Sequence, residues 1–207
     1  MAQFFTIHPD NPQPRLIMRA VEIIRAGGLI VYPTDSCYAL GCHIGDKAAV
    51  GRIRAIRQIG AHHHFTLVCR DLAEIAVYAR VDNRQFRLLK SATPGSYTFI
   101  LQATREVPKR LMHPRRKTIG LRIPDHAVVR ALLAALGEPL LSSTLTLPGD
   151  DTPLNDASEI RARLEHQVDL VLDSGSCGVS PTTVADLTGP GPVITRHGKG
   201  SLAPFGV

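Results

Sequence analysis

Apolar residues recur at helical spacing in several stretches of the chain. From Pro14 they form one stripe that runs up to Gly27-Gly28, which predicts a helix with a left-handed cap. Further stretches of this kind each open on an aspartate, a favoured N-cap residue: Asp46, Asp71, Asp82, Asp125 and Asp156. In three of them a glutamate or glutamine follows three residues after the aspartate, as in a capping box. We expect a helix from each starting point.

Short apolar runs between the predicted helices predict strands. They cover residues 29–32, 65–69, 97–103, 118–123, 140–145, 168–172, 182–187 and 193–196. Strands interleaved with helices indicate an α/β fold, with helices on the faces of a sheet. The last two runs have the spacing of a hairpin, so we expect a mixed sheet. A chain of 207 residues can bury one sizeable core, which predicts a single domain over residues 1–207.

The composition is that of an ordinary soluble globule, with 44% hydrophobic and 20% charged residues. Its apolar runs fall far short of the roughly 20 residues that cross a bilayer, and no secretory pattern opens the chain. We therefore expect a cytoplasmic protein without a membrane partner. The 24 Lys and Arg exceed the 18 Asp and Glu, and the formal charge of +6 favours nucleotides, phosphates or RNA as partners.

The sequence gives little support to metal or disulfide chemistry. The four cysteines lack a CxxC pair and are predicted to be reduced thiols: Cys37, Cys42, Cys69 and Cys177. His62-His63-His64 invites a metal interpretation, but adjacent histidines cannot all face one ion on a regular element. We expect no metal held by protein side chains.

A cluster of hydroxyl residues follows the first predicted strand. After Tyr32 the chain reads Pro33-Thr34-Asp35-Ser36-Cys37, at a position where α/β sheets place ligands. Thr34 and Ser36 are two residues apart, so they would face one ligand group if the backbone stays extended. The alternative is a turn whose hydroxyls satisfy nearby backbone groups.

Arginines are the candidate anion contacts. Arg52, Arg54 and Arg57 recur on the helix predicted from Asp46, although each taken singly is also explained as a solvated surface charge. Arg122 ends a predicted strand, and its two-pronged guanidinium suits a carboxylate or a phosphate.

Four blocks of sequence, taken in order, resemble the YrdC/YciO family: residues 27–41, 94–99, 120–126 and 181–187. The resemblance implies a single-domain twisted mixed β-sheet with helices on its faces and a concave basic surface. It also implies a relation to threonylcarbamoyl-AMP synthases, which use L-threonine, bicarbonate and ATP in forming N6-threonylcarbamoyladenosine in tRNA. Other members of the family are described as binding double-stranded RNA.

The resemblance also assigns expected roles to single residues. It places five residues around the amino-acid substrate: Thr34, Ser36, Arg122, Thr144 and Thr182. It places four around the nucleotide: Arg57, Thr118, Thr146 and Arg196. ATP or AMP would be a ligand, and ATP with Mg²⁺ would be a substrate.

Two departures from the family pattern are informative. The family's Lys-x-Arg falls on Arg57-Gln58-Ile59, and its Ser-x-Asn falls on Thr144-Leu145-Thr146. A cation and an amide are thus replaced, a pattern that resembles the YciO branch. It implies retained anion and nucleotide binding, with synthase activity weak, altered or absent. The alternatives are a non-enzymatic double-stranded RNA-binding protein with a vestigial pocket, or an adenylating enzyme for another small acid.

Overall fold

The structure is a computed structural model that describes residues 1–60, 63 and 65–206. In this part of the chain the strands are β1 (Gln3–Thr6), β2 (Ile30–Tyr32), β3 (Ala39–His43), β4 (Thr66–Val68), β5 (Tyr97–Gln102), β6 (Thr118–Arg122), β7 (Leu140–Thr144), β8 (Leu170–Asp173), β9 (Thr183–Asp186) and β10 (Val193–Arg196). The α-helices are α1 (Pro14–Arg25), α2 (Lys47–Arg57), α3 (Leu72–Tyr78), α4 (Asn83–Ala92), α5 (Ala127–Leu136) and α6 (Ala157–Leu164). A short 3-10 helix, Ala203–Phe205, follows β10.

All of these strands join one sheet in the order β1-β8-β2-β3-β7-β4-β6-β5-β9-β10. The strands β2, β3, β7 and β4 pair antiparallel in succession, whereas β4 with β6 and β5 with β9 are parallel. The pair of β9 and β10 is antiparallel, with an irregularity between Ile194 and Arg196. The α/β fold with a mixed sheet is therefore confirmed.

The helix starts follow from their caps. The side chains of Asp46, Asp71, Asp82 and Asp156 each accept a hydrogen bond from the backbone N–H three residues later. The helix expected from Asp125 is displaced, since α5 begins at Ala127 and its N-cap is His126. Asp125 instead accepts from Arg130 Nη1 at 2.6 Å, so its carboxylate serves an ion pair rather than a cap.

Two strands, β1 and β3, are absent from the sequence prediction. β3 reads Ala-Leu-Gly-Cys-His, and a glycine inside a strand weakens the strand signal. The structure gives a reason for Gly41: a Cβ atom there would lie 2.7 Å from Tyr32 Cε1. The neighbouring aromatic ring therefore requires glycine, and pairing with both β2 and β7 holds the strand in place.

Helices cover the two faces of the sheet unequally. On one face, α2, α3 and α6 contribute to a core with apolar residues of β2, β3, β4 and β7, among them Val31, Leu40 and Leu67. On the other face, α1 and α5 pack against β8, β2 and the near part of β7, where Leu170 and Leu140 are buried. The rest of that second face carries the candidate site described next.

Candidate functional site

A cavity of about 640 Å³ lies on the sheet face beside α1 and α5. Successive strands and their ends supply hydroxyl groups to its lining: Thr66, Thr98, Ser142, Thr144, Thr182 and Thr195. Three arginines, Arg57, Arg122 and Arg196, also line it. Converging cations and neutral donors in one concavity favour an anionic ligand. At the floor lies Gly120, where a Cβ atom would come within 2.9 Å of Thr66 Oγ1 and 3.1 Å of the Phe65 carbonyl.

Arg57 ends helix α2 and is fixed on one side of the cavity. Its Nη1 donates to Ser143 Oγ at 2.6 Å and its Nε donates to the Thr146 carbonyl at 3.3 Å. The Nε2 atom of His63 lies 3.4 Å from the same Nη1. Burial, and secondly the charge of Arg196, lower the pKa of Arg57. Burial thus disfavours this cation, and a bound anion would offset the penalty.

Arg196 lies at the end of β10 and is held by Thr182. Its Nε donates to the Thr182 carbonyl and its Nη2 to Thr182 Oγ1, both at 2.9 Å. Thr98 Oγ1 lies 2.8 Å from Thr182 Oγ1, so a relay of hydroxyls continues the contact to β5. Burial lowers the pKa of Arg196 as well. Among the described residues, neither Arg57 nor Arg196 has a carboxylate in an ion pair.

Arg122, which is only 6% exposed, differs because it faces a carboxylate already. Its Nη2 donates to Asp35, and its Nη1 lies 3.4 Å from Ser36 Oγ. Asp35 also accepts from Ser96 Oγ at 3.0 Å and from the Asp125 N–H at 3.3 Å. The buried Nε of Arg122 has no hydrogen-bond partner within the described residues. An unpaired buried donor costs about 1–3 kcal/mol, which an anionic oxygen at this position would recover.

The hydroxyls of Thr34 and Ser36 are both buried, but they have different contacts. Thr34 Oγ1 donates to the Cys37 carbonyl at 2.7 Å and accepts from the Ser36 N–H at 3.2 Å. The turn alternative of the sequence analysis therefore describes Thr34. Ser36 Oγ reaches Arg122, beside the cavity, although neither hydroxyl residue belongs to the lining itself.

The remaining predicted residues fall in different places. Thr144 and Thr146 line the cavity. Thr118 is buried on β6, on the same side of the strand as Gly120, but lies outside the lining. Ile59 packs, partly buried, against the larger core and is likewise outside the described lining.

Of the three helix arginines, Arg57 reaches the cavity and the other two have structural contacts. Arg52 pairs with Asp169 at 2.7 Å. The guanidinium of Arg54 lies over the Phe65 ring, 4.8 Å from its centroid, and Arg54 Nη1 also donates to the Gly60 carbonyl.

Sequence reasoning missed several residues of the site. Asp35 and Ser143 fix two of the arginines, and Asn155 joins two loops of the cavity wall. A signal was available for Ser143, because three hydroxyl residues interrupt the apolar strand at 142–144. Nothing local distinguishes Asp35 or Asn155, since their partners are distant in sequence.

The cysteines and histidines provide no obvious nucleophile or metal site. All four cysteines are free, and burial raises the pKa of Cys37, so its thiol stays protonated in the cavity lining. No group of three or more His, Cys, Asp or Glu within the described ranges could hold a metal ion. His62 and His64 lie outside those ranges.

Within the described residues, no helix is long and apolar enough to cross a membrane.

The fold and site define a mixed α/β protein whose open sheet face carries a cationic cavity rich in hydroxyl groups. The chain belongs to the Sua5/YciO/YrdC family. The family model, described as telomere recombination, matches residues 22–198. The resemblance found in the sequence is therefore confirmed.

Relatives and solved structures agree with this assignment. The chain is 58% identical to YciO of Escherichia coli over 205 residues, 99% of this chain and 100% of that protein. The crystal structure of Escherichia coli YciO matches with a TM-score of 0.96, covering the same shares of both chains. A threonylcarbamoyl-AMP synthase of Chromohalobacter salexigens is 32% identical over 173 residues, 83% of this chain and 92% of the synthase.

A more distant structure shares the fold. Sua5 of P. abyssi in complex with L-threonine matches with a TM-score of 0.86 at 24% identity, covering 94% of this chain and 57% of Sua5.

Proposed function

We propose that the cavity binds an adenine nucleotide, ATP or AMP, beside a small carboxylic acid. We further propose that the protein has weak or altered threonylcarbamoyl-AMP synthase activity, with L-threonine and bicarbonate as the other reactants. The observation that carries this proposal is the convergence of Arg57, Arg122 and Arg196 on one cavity. The 32% identity to a named synthase and the fold shared with an L-threonine-bound protein also support it.

The three arginines would divide the anionic groups between them. Arg57 and Arg196 lack carboxylate partners among the described residues, so they would face the phosphates. Arg122, whose Nη1 lies 3.4 Å from Ser36 Oγ and whose Nε is unpaired among the described residues, would take the carboxylate of the acid. The Mg²⁺ that accompanies ATP would arrive with the nucleotide and be held mainly by its phosphates.

Low synthase activity follows from the two departures from the family pattern. Thr146 lines the cavity, where it supplies a hydroxyl in place of a planar amide. Ile59 packs against the core instead of presenting a cation. Losing one contact to developing charge lowers a rate by about 100- to 1000-fold in comparable cases.

The decisive experiment measures pyrophosphate release from ATP with bicarbonate, across a panel of amino acids. Release that depends on threonine supports the proposal. Release with a different acid identifies another adenylating enzyme. No release, no binding heat and no thermal stabilisation at saturating ATP with Mg²⁺ would defeat it, because ligand at 100 times its Kd adds about 2.7 kcal/mol of stability.

A pair of variants on one helix localises the binding. Arg57→Met removes the cavity cation and should weaken ATP binding by about 10- to 100-fold, the scale of a lost charge-assisted hydrogen bond. Arg54→Met is the matched control, since Arg54 contacts Phe65 and the Gly60 carbonyl outside the cavity. Equal affinity of both variants in calorimetry would place the nucleotide elsewhere.

We propose a second function, electrostatic binding of double-stranded RNA or tRNA, on a different observation. Residues 105–117 contain six basic residues and one acidic residue, a net +5 against +6 for the whole chain. Arg105, Lys109 and Arg115 are exposed there. Such a segment suits a phosphate backbone. It would support RNA binding even if the cavity had no enzymatic role.

The RNA proposal is tested by the salt dependence of binding to a labelled duplex. Affinity should fall steeply with salt, and each of Arg105→Gln, Lys109→Gln and Arg115→Gln should reduce the slope by up to about one unit. Arg19→Gln, on helix α1, is the control. A salt-insensitive affinity or a strong preference for one single-stranded sequence would contradict this proposal.

A further inference from the structure

Two loops form one wall of the cavity, and Asn155 joins them. We call them the rim loops, residues 145–156 and 174–181. The Oδ1 of Asn155, on the first loop, accepts from the Cys177 N–H at 2.8 Å and from the Gly178 N–H at 3.0 Å on the second. Its Nδ2 donates to Ser176 Oγ at 2.6 Å. One amide side chain thus holds three consecutive residues of the facing loop.

The middle of the second rim loop has few other contacts: Cys177 packs, partly buried, against the larger core, and its Sγ lies 3.8 Å from the Gly175 carbonyl. Two of its residues, Gly175 and Gly178, have positive φ, and Val179 is 45% exposed. Its start is anchored by the Tyr38 hydroxyl, which donates to the Gly175 carbonyl at 2.7 Å, and its end leads into β9. Segments with few buried apolar contacts open at low free energy. The three bonds of Asn155 are therefore the main polar contacts that hold the middle of this loop against the first rim loop.

We call the three hydrogen bonds of Asn155 to residues 176–178 the clasp. The clasp connects the two parts of the proposed site, the part that would face the acid and the part that would face the phosphates. A Cβ atom on Gly178 would lie 3.2 Å from the Ser36 carbonyl, so the second rim loop packs against the segment that would face the acid. On the first rim loop, the Thr146 carbonyl accepts from Arg57, which would face the phosphates. The bonds of Asn155 thus join the loop that carries one of these contacts to the loop that carries the other.

The wall is also thin. Four residues line both the main cavity and a second cavity of about 740 Å³: Asp151, Thr152, Pro153 and Val179. Opening the contact between the rim loops would join the two spaces and give a bound molecule a second way out. We infer that Asn155 is a positioning residue that keeps this wall closed behind the ligand. The identity of that ligand rests on the proposed function, but the clasp itself does not.

The clasp can be tested without any ligand by alkylation of Cys177. Burial raises the pKa of Cys177 to about 11, so the wild-type thiol should react slowly with iodoacetamide near pH 8. Asn155→Ala should increase that rate about tenfold, the scale of lost hydrogen bonds. Asn155→Asp keeps the oxygen that accepts from Cys177 and Gly178, so it should stay near the wild-type rate. Cys42 and Cys69, which are buried and lie outside the cavity lining, are internal controls in the mass spectrum.

Dissociation of AMP tests the consequence for the site. Asn155→Ala should raise the dissociation rate about tenfold, change the association rate less, and be rescued by Asn155→Asp. Ser176→Ala removes one of the three bonds and should give a smaller change, which keeps the test open if Asn155→Ala does not fold. An unchanged Cys177 rate in Asn155→Ala overturns the clasp.

Faster alkylation with unchanged AMP dissociation overturns the positioning role. Absence of AMP binding by the wild type would defeat the proposed function and the retention role together. The alkylation rates would then still decide whether the clasp exists.

Discussion

One face of the sheet has two halves with opposite character. Where α1 and α5 cover it, the strands present apolar residues such as Ile30, Leu140 and Leu170. Where no helix packs within the described ranges, the same face presents threonine, serine and arginine around the cavity. The period of two along each strand is the same in both halves. The comparison indicates that strand positions under a helix carry apolar side chains, whereas uncovered positions on the same face can carry polar ones.

The covered half should give the largest change in stability. Leu132 on α5 is fully buried among α1 and the sheet. Leu132→Ala should lower the free energy of unfolding by about 2–5 kcal/mol, through lost apolar contact and a residual cavity. Denaturant titration measures this. The AMP Kd of the remaining folded protein should not change, and a parallel loss of affinity would break the comparison between the halves.

The open half should give the largest change in activity. Ile59→Arg combined with Thr146→Asn should raise threonine-dependent AMP formation by up to about 100- to 1000-fold, the reverse of losing such a contact. Because Thr146 lines the cavity and Ile59 does not, Thr146→Asn should carry most of the gain. Rates of the double and both single variants separate these contributions. A folded double variant that binds ATP without any gain would place the deficit elsewhere.

The border between the halves should show an intermediate effect. Tyr32 belongs to the covered core, and its hydroxyl lies 2.7 Å from Ser142 Oγ, which lines the cavity. Burial raises the pKa of Tyr32 to about 12, so the hydroxyl stays protonated. Tyr32→Phe should cost about 1 kcal/mol of stability, the net worth of one hydrogen bond. The control is a double-mutant cycle with Ser142→Ala. If the double variant loses as much stability as the two single variants together, the bond between the two hydroxyls contributes nothing.

The smallest effect is expected from pH at the start of α5. Burial lowers the pKa of His126 below its ordinary value of 6.5. The unfolded chain therefore takes up a proton at higher pH than the folded one, so stability is full above pH 6.5 and declines as pH falls below it. His126→Gln should flatten this part of the profile of Tm against pH. An identical profile in both proteins would show that His126 does not contribute to the dependence of stability on pH.

Much of the fold was predictable because its signals are local. Aspartates that cap their own helices and apolar runs of strand length gave the elements and a mixed sheet. The helix start predicted at Asp125 was wrong because the Asp125 carboxylate pairs with Arg130 instead of capping the helix. Strand β3 was missed because it contains Gly41, which is required by the close approach of the Tyr32 ring on β2. Such requirements arise from tertiary packing, which no short window of sequence contains.

The site was less predictable for the same reason. Arginines could be nominated from their residue type, but which of Arg52, Arg54 and Arg57 reaches the cavity depends on partners such as Asp169 and Ser143. The pairing of Asp35 with Arg122 joins residues far apart in the chain. Whether Ile59 and Thr146 act in the reaction stays a prediction.

Gly120 has no side chain, so main-chain atoms line the cavity at this position. This has a consequence for divergence among related proteins. A side chain at Gly120 would be crowded, because a Cβ atom there would lie 2.9 Å from Thr66 Oγ1 and 3.1 Å from the Phe65 carbonyl. The hydroxyl and arginine residues of the cavity lining, by contrast, can change one at a time. New ligand preferences should therefore arise more readily by mutation of the hydroxyl and arginine residues of the lining than at Gly120, which makes those residues the sensible targets for engineering.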